Sequence, residues 1–574
     1  MIGAGGDGVI AAGDTLLSAA AMDGLYARQH KSFGPQIRGG ESSCRVRVST
    51  KSVYSVGNDL DVLIIFSWKD YARFAIELPV AENGVTFYDE ALKLDPKEIK
   101  PTGSWKREAI PVPFTAIAQE KTGGTLSKNL VALGVVSEAC NIAPEKIKGG
   151  IERKFSKKGE AVLRANSDAF AAGREWAREN LKGLPIKRLN YTPGAPKIIM
   201  DGNMGIAAGA VFAGCNFFAG YPITPATEIM QWIADEFPRL GCPYVQAEDE
   251  IAAIAMCTGA SFSGAKAMTA TSGPGMSLKT EILGLATMAE IPMVVVNVQR
   301  AGPSTGIPTK GEQADLLQAV FSANGDVVRP VLAPRDIMSC FDIAVEAFNI
   351  AEEYQTPVVI LSDQFIGQSQ IANDPLDPKG LEIKNRRLAS QAQADGFNRF
   401  KITPDYISPV SIPGEPRLQY LAAGIEHTEI GWPSSDIDIH QKMTEKRIKK
   451  LEPLRERKDL FFQTGNPKAR IGIISWGSST GAVRDAVEMA EAEGTALKVL
   501  VPYLISPIAK NVYREFFDSI DKLLIVEVSY LGQLYLYLRT ELDFPKNTRL
   551  LTAAGGMNFT PCQIFAKIKE MTNE

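Results

Sequence analysis

Between Asp201 and Lys310 four short apolar runs each give way to a stretch rich in Gly, Pro, Ser and Thr, and this recurrence constrains the fold more than any other feature of the sequence. The loops are Ala219-Gly-Tyr-Pro-Ile-Thr-Pro-Ala-Thr227, Val245-Gln-Ala-Glu-Asp-Glu-Ile-Ala-Ala253, Met268-Thr-Ala-Thr-Ser-Gly-Pro-Gly275 and Val294-Val-Val-Asn-Val-Gln-Arg-Ala-Gly-Pro-Ser-Thr-Gly-Ile-Pro-Thr309. Each reads as a strand running into a loop, with helical stretches between them. That alternation specifies an α/β fold with a doubly wound parallel sheet. Such folds place ligands at the carboxyl ends of their strands. The four loops are therefore expected to converge on one crevice.

At 574 residues the chain exceeds a single core and predicts about three domains. Residues 1–185 read as a first α/β unit. It opens with a Gly-rich turn from Gly3 to Gly8, followed by a helix over Val9 to Leu25, a strand over Ser42 to Ser49 and a buried strand over Asp61 to Phe66. Helices are expected over Lys121 to Ile142 and Glu160 to Asn180 by apolar spacing. Residues 186–197, with Pro193 and Pro196, read as a linker. The central domain spans 198–366 and includes strands over Val327 to Ala333 and Thr356 to Asp363. Residues 367–468 form an extended connection marked by Pro404, Pro409, Pro413 and Pro416, with a charged helix expected over Lys442 to Lys458. A last α/β domain covers 469–574.

Composition narrows the function. A net charge of −4, with no basic stripe, gives no footprint for nucleic acid. The longest apolar runs, such as Ile291 to Val296, are strand-length and too short to span a bilayer. Met1 leads directly into the glycine turn, with no signal peptide, so the chain reads as cytoplasmic. Seven cysteines are scattered without a C-x-x-C, and three histidines lack ligand-spaced partners. No metal site is expected in this chain, and a redox cluster would have to come from another one.

The Tyr221-Pro-Ile-Thr-Pro225 block and the loop from Arg300 to Thr309 resemble the pyrimidine-binding domain of the 2-oxoacid:ferredoxin oxidoreductases, in particular their 2-oxoglutarate-specific α subunits. The first 185 residues, including the Arg38-Gly39-Gly40 turn, are similar to the γ domain of the same enzymes, and the last domain to the transketolase C-terminal domain. The family's γ domain usually begins with a full strand before its glycines. Only Met1 and Ile2 precede them here, so the start is expected to lie upstream or the strand to be curtailed.

The resemblance implies thiamine diphosphate as cofactor and coenzyme A as cosubstrate. Thiamine is activated by a carboxylic acid on N1′ of its aminopyrimidine, and Glu250 matches the family's acid. On a strand, Glu248 and Glu250 would share a face, so Glu248 stays a rival. A bland reading also exists, in which these acids favour the positive end of a helix. Pro222, Ile223 and Gly273 are implied in cofactor binding. For the substrate, Arg300 offers a planar fork that matches a carboxylate. Thr224, Ser304, Thr305 and Thr309 add hydroxyls, and Lys310 could meet a distal carboxylate. Gly5, Gly6 and Arg38 are the coenzyme A candidates, because a helix start behind glycines binds phosphate through free N–H groups. Gly6-Asp7-Gly8 mimics the start of a thiamine diphosphate motif, but the Asn completing it is missing. Mg2+ and a [4Fe-4S] cluster are accordingly expected in a β subunit.

The expected activity is the coenzyme A-dependent oxidative decarboxylation of 2-oxoglutarate, or the reverse reductive carboxylation, with ferredoxin as electron carrier and a dimer of αβ heterodimers as the assembly. The alternatives are a pyruvate or broad 2-oxoacid enzyme, a subunit of a non-redox thiamine enzyme, or a γ-type scaffold without catalysis.

Overall fold

In the computed structural model, which describes residues 1–34 and 40–573, the apolar runs become strands of three sheets with eight, seven and five members. Packing divides the chain into two units. One holds Met1–Met200 and Ser369–Asp377, and the other Asp201–Gln368 and Pro378–Glu574.

The first unit carries the eight-stranded sheet. Its spatial order is Ile110–Val112, Val80–Asp89, Leu60–Ile65, Ile2–Gly3, Ser42–Ser49, Tyr26–Phe33, Gln370–Asn373 and Ile198–Asp201. Tyr26–Phe33 and Ser42–Ser49 form an antiparallel pair with Gln29 opposite Val46. The short Ile2–Gly3 strand lies parallel to Leu60–Ile65 and leads into the helix Val9–Met22. The expected helix from Lys121 to Ile142 is two helices, Phe114–Thr122 and Lys128–Cys140. Gly123, at φ 69°, ends the first of them in the left-handed conformation that glycine accepts without strain. Glu160–Asn180 is one helix, as its spacing predicts.

Two features of this unit depart from the sequence reading. Ile198–Asp201, which opens the expected central domain, adds to the edge of the eight-stranded sheet instead. Gln370–Asn373, from the expected extended connection, pairs antiparallel with Tyr26–Phe33 through Gln370 opposite Gln29. Strand pairing depends on partners distant in sequence, so neither placement is visible in a local pattern.

The second unit contains the seven-stranded sheet, ordered Leu504–Ser506, Val331–Leu332, Pro357–Asp363, Met293–Gln299, Ala267–Thr271, Phe217–Gly220 and Tyr244–Gln246. All its pairings are parallel except that of the first two strands. Phe217–Gly220 is followed by its outer neighbour Tyr244–Gln246, whereas Ala267–Thr271 is followed by Met293–Gln299 on the opposite side. The direction in which successive strands are added thus reverses between Phe217–Gly220 and Ala267–Thr271, which is the switch point where doubly wound sheets hold ligands. The five-stranded sheet belongs to residues 461–552 and is parallel apart from Phe461–Gly465. One continuous core joins the two sheets: Val295 and Leu361 belong to the same buried cluster as Trp476, Tyr513 and Ile525. The last α/β segment is therefore packed with the central one in a single unit.

The charged helix of the connection runs over Ile437–Lys449, earlier than expected, because Asp436 caps it by accepting from Asp438 N and Ile439 N. Its Lys446 and the following Lys450 reach Glu290 at 2.5 and 3.0 Å in a fully buried cluster. Among the described residues no helix is long and apolar enough to cross a membrane.

Candidate functional site

Four parallel strands deliver the four loops to one edge of the seven-stranded sheet. After Tyr244–Gln246 the chain makes a short bend, and Asp249 caps the helix Glu250–Phe262 by accepting from Ala252 N at 2.7 Å. This separates the three neighbouring acids. Glu248 is exposed, Asp249 is the cap, and Glu250 is the first helical residue and only 6% exposed. Glu248 and Glu250 do not share a strand face, as the sequence reading allowed, because the strand ends at Gln246.

Among the described residues no donor hydrogen-bonds the Glu250 carboxylate. Its neighbour is the backbone of Gly275, in the first turn of the helix Gly273–Leu278. A side chain on Gly275 would drive its first carbon into Thr271 Oγ1 and place it 2.7 Å from Glu250 Oε1, so only glycine lets this turn approach the acid so closely. The other flank of the same turn meets a second acid. A first side-chain carbon on Gly273 would lie 2.8 Å from Asp315 Oδ2. Asn297, at the end of Met293–Gln299, donates to Asp315 Oδ2 at 3.1 Å, and Gln299 accepts from Asp315 N at 2.9 Å. Burial pushes the Asp315 carboxyl up to about 6, in opposition to the Asn297 hydrogen bond and the nearby Arg300 charge.

Arg300 follows directly on the strand and is 7% exposed. Its Nη1 donates to the Thr224 carbonyl at 2.8 Å, tying the substrate-loop candidate to the Tyr221–Pro225 block. Its Nε is buried without a partner. No carboxylate of the described residues forms an ion pair with it, and burial lowers its pKa. A guanidinium held by one carbonyl and otherwise unneutralised suits an anionic ligand.

The Tyr221–Pro225 loop is braced from beneath, where Asn203 Nδ2 donates to Pro225 O at 2.8 Å and to Glu228 Oε2 at 3.2 Å. Pro222, Ile223 and Thr224 are half-buried on it. The loop beyond Arg300 is closed at its base by Ala301 N donating to Lys310 O at 2.8 Å. Glu312 holds it as well, accepting from Gly302 N at 3.2 Å. Thr309 and Lys310 are half-buried near that base, while Ser304 and Thr305 lie at the exposed tip.

Asn297, Asp315 and Lys279 escaped the sequence reading. Asn297, which interrupts the apolar run of its strand, was the one signal available among them.

In the first unit, Gly5 and Gly6 are exposed at the mouth of the turn before the helix Val9–Met22, which has no acid in its first turn. Asp7 folds back on Ala4 N at 2.8 Å and pairs with Lys128 at 2.8 Å. Arg38 lies outside the described residues.

Besides the exposed Glu248, Asp249 and Ser277, the helix from Glu250 and those packed on from it expose the apolar Ile251, Met256, Leu278, Phe321 and Leu536. They sit on successive packed helices, linked by Gln318 donating to Ser277 Oγ at 2.6 Å and by the edge-on contact of Phe321 with Tyr537. No group of three or more His, Cys, Asp or Glu among the described residues is gathered for a metal ion.

A nearly buried carboxylate and an unneutralised arginine thus lie at the switch point of a doubly wound sheet. Residues 208–446 match the family described as pyruvate flavodoxin/ferredoxin oxidoreductase, thiamine diphosphate-binding, and residues 1–176 match pyruvate ferredoxin/flavodoxin oxidoreductase. A solved structure of 2-oxoglutarate:ferredoxin oxidoreductase from Magnetococcus marinus, with 2-oxoglutarate, coenzyme A and succinyl-CoA bound, superposes with a TM-score of 0.91 at 37% identity, over 99% of this chain and 98% of that one. The 2-oxoacid:ferredoxin oxidoreductase 2 subunit alpha of Aeropyrum pernix is 32% identical, over 83% of this chain and 76% of its own length. The 2-oxoglutarate synthase subunit KorA of Methanothermobacter marburgensis is 38% identical, over 65% of this chain and 98% of its own. The chain belongs to the 2-oxoacid:ferredoxin oxidoreductase family, as an α subunit with a fused γ-type domain.

Proposed function

We propose that this chain is the α subunit of a 2-oxoglutarate:ferredoxin oxidoreductase, converting 2-oxoglutarate and coenzyme A to succinyl-coenzyme A and carbon dioxide, or running the reverse carboxylation. The observation that carries the activity is the nearly buried Glu250 carboxylate, which has no donor among the described residues and is approached closely by the backbone of Gly275. That cradle fits the aminopyrimidine of thiamine diphosphate. When bound, the cofactor supplies a carbanionic carbon that accepts the acyl group of the 2-oxoacid.

The chain's own residues then have distinct tasks. Glu250 holds the proton at N1′, and Pro222, Ile223 and Gly273 shape the wall of the cofactor site. Arg300, with Thr224 and Thr309, grips the carboxylate next to the keto carbon. Ser304 and Thr305 extend that loop, and Lys310 faces the distal carboxylate that distinguishes 2-oxoglutarate from pyruvate. The exposed glycines Gly5 and Gly6, with Arg38, take the coenzyme A phosphates.

A β subunit completes the enzyme with Mg2+, the diphosphate site and the [4Fe-4S] cluster. The exposed apolar residues Ile251, Met256, Leu278, Phe321 and Leu536 are the kind of surface that a permanent partner covers. Ferredoxin accepts the electrons, the assembly is a dimer of αβ heterodimers, and the site of action is the cytoplasm.

The test is reconstitution with the β subunit. The mixture is expected to reduce viologen or ferredoxin with 2-oxoglutarate, coenzyme A and thiamine diphosphate all required, and the α chain alone to do neither. Faster turnover of pyruvate would move the substrate assignment, and turnover independent of thiamine would remove the reading altogether.

A further inference from the structure

The helix Gly273–Leu278 is followed at once by Lys279, whose side chain is 0% exposed. A lysine this deep ordinarily has a carboxylate partner. Here Nζ donates instead to two neutral acceptors, the backbone carbonyl of Glu250 at 2.9 Å and the Thr269 hydroxyl at 3.3 Å. The groups facing it are few. Glu250, Asp249 and Cys257 approach from the helix Glu250–Phe262, and Thr269 from the strand Ala267–Thr271. Asp249 is committed to its cap. Cys257 gives its thiol to Met268 O at 3.2 Å, and burial pushes it up to about 12, so it brings no charge near neutrality. Glu250 is left as the one nearly buried acid close to this ammonium, and the two share a backbone link but no ion pair.

Neither packing nor helix formation needs a charge at this position. Methionine fills similar space without the desolvation cost. What the charge does accomplish is geometric and electrostatic at once. It ties the first residue of one helix to the neighbouring strand, and it puts a positive field under the acid.

We propose that Lys279 is a positioning residue for Glu250: its ammonium fixes the backbone of the acid against Thr269 and so holds the Glu250 carboxyl where it meets the bound aminopyrimidine. This rests on the reading of Glu250 as the group that meets N1′. Burial pushes Lys279 down to about 8, so the support it gives weakens in alkaline solution.

The experiment uses the reconstituted αβ complex loaded with thiamine diphosphate, carrying Lys279→Met, Lys279→Arg or Glu250→Gln. Circular dichroism of the bound cofactor, which separates protonated from neutral aminopyrimidine, is followed against pH, and C2 proton exchange and Tm are measured alongside. In Lys279→Met the protonated-ring signal, which needs the Glu250 carboxyl in place beside N1′, is expected to fall several-fold at every pH. Exchange is expected to slow by about 10²-fold, the scale of a displaced catalytic group. The Tm should hold or rise, and Lys279→Arg should recover the signal. A Lys279→Met complex that keeps the wild-type ring signal overturns the proposal, whatever its Tm. Should that variant not fold, Thr269→Val removes one acceptor and keeps the ammonium. It is expected to slow exchange several-fold, and wild-type exchange there overturns the clamp. A normal loss in Glu250→Gln beside a silent Lys279→Met removes the positioning role alone. Unchanged exchange in Glu250→Gln removes the assignment of the acid itself.

Discussion

At the scale of single residues, burial decides between chemically equal neighbours. Glu250→Gln in the reconstituted enzyme should slow C2 proton exchange by roughly 10²–10⁴-fold, the usual weight of one acid–base group. Glu248→Gln should leave exchange unchanged, since that side chain is exposed; the opposite pattern would transfer the role. Arg300→Lys keeps the charge but loses the fork and the reach to Thr224 O. It should lower kcat/KM for the 2-oxoacid by an amount equivalent to about 1.5–3 kcal/mol, and a change confined to Tm would make the arginine structural. Asp315 gives a pH signature. Its folded pKa is raised from 3.8 to about 6, so the folded state holds the proton that the unfolded state releases. Its contribution is therefore full below pH 4 and is lost as pH rises through 6. Asp315→Asn should be nearly neutral at pH 4 and stabilising by on the order of 2–3 kcal/mol at pH 8. Thermal melts at the two pH values check this. Arg300 and the acid cluster were visible as candidates in the sequence because loop chemistry is local. Lys279 and Asp315 were not, because their significance depends on which backbone they touch.

Among the elements, the helix Ile437–Lys449 shows how a connection without a repeating apolar pattern is nonetheless fixed. Lys446 and Lys450 converge on Glu290, whose pKa the two ammonium groups hold well below the usual carboxylate range against its burial. Glu290→Gln leaves two buried cations facing an amide, a loss of about 3–5 kcal/mol by analogy with broken buried pairs. Limited proteolysis should then cut within residues 378–436 far sooner than in the wild type. Equal protease resistance would mean that the apolar contacts suffice. The sequence marked this helix by its charges but began it late, because the deciding signal is the cap at Asp436 rather than the lysines. The same local rule was legible at Gly123 only in part, since two helices divided by a short glycine turn have nearly the apolar spacing of one.

For the whole molecule, the strand alternation of the central domain was readable because each strand and its loop are adjacent in sequence. The membership of sheets was not. Gln370–Asn373 lies between Tyr26–Phe33 and Ile198–Asp201, although it follows the former by more than three hundred residues. A fragment ending at Met200 would leave Tyr26–Phe33 with an open edge of unpaired backbone groups. It should aggregate or melt well below a version to which residues 369–377 are joined by a flexible linker, and equal solubility and Tm would show the strand to be dispensable. The same feature sets a timetable during synthesis. The first two hundred residues leave the ribosome with their sheet incomplete, and the missing strand arrives only after roughly 170 more, a delay of about 10–35 s at ordinary elongation rates. Through that interval the exposed edge is a natural client for a chaperone, and the fused chain commits its amino-terminal part to completion only after the thiamine-site strands have been made.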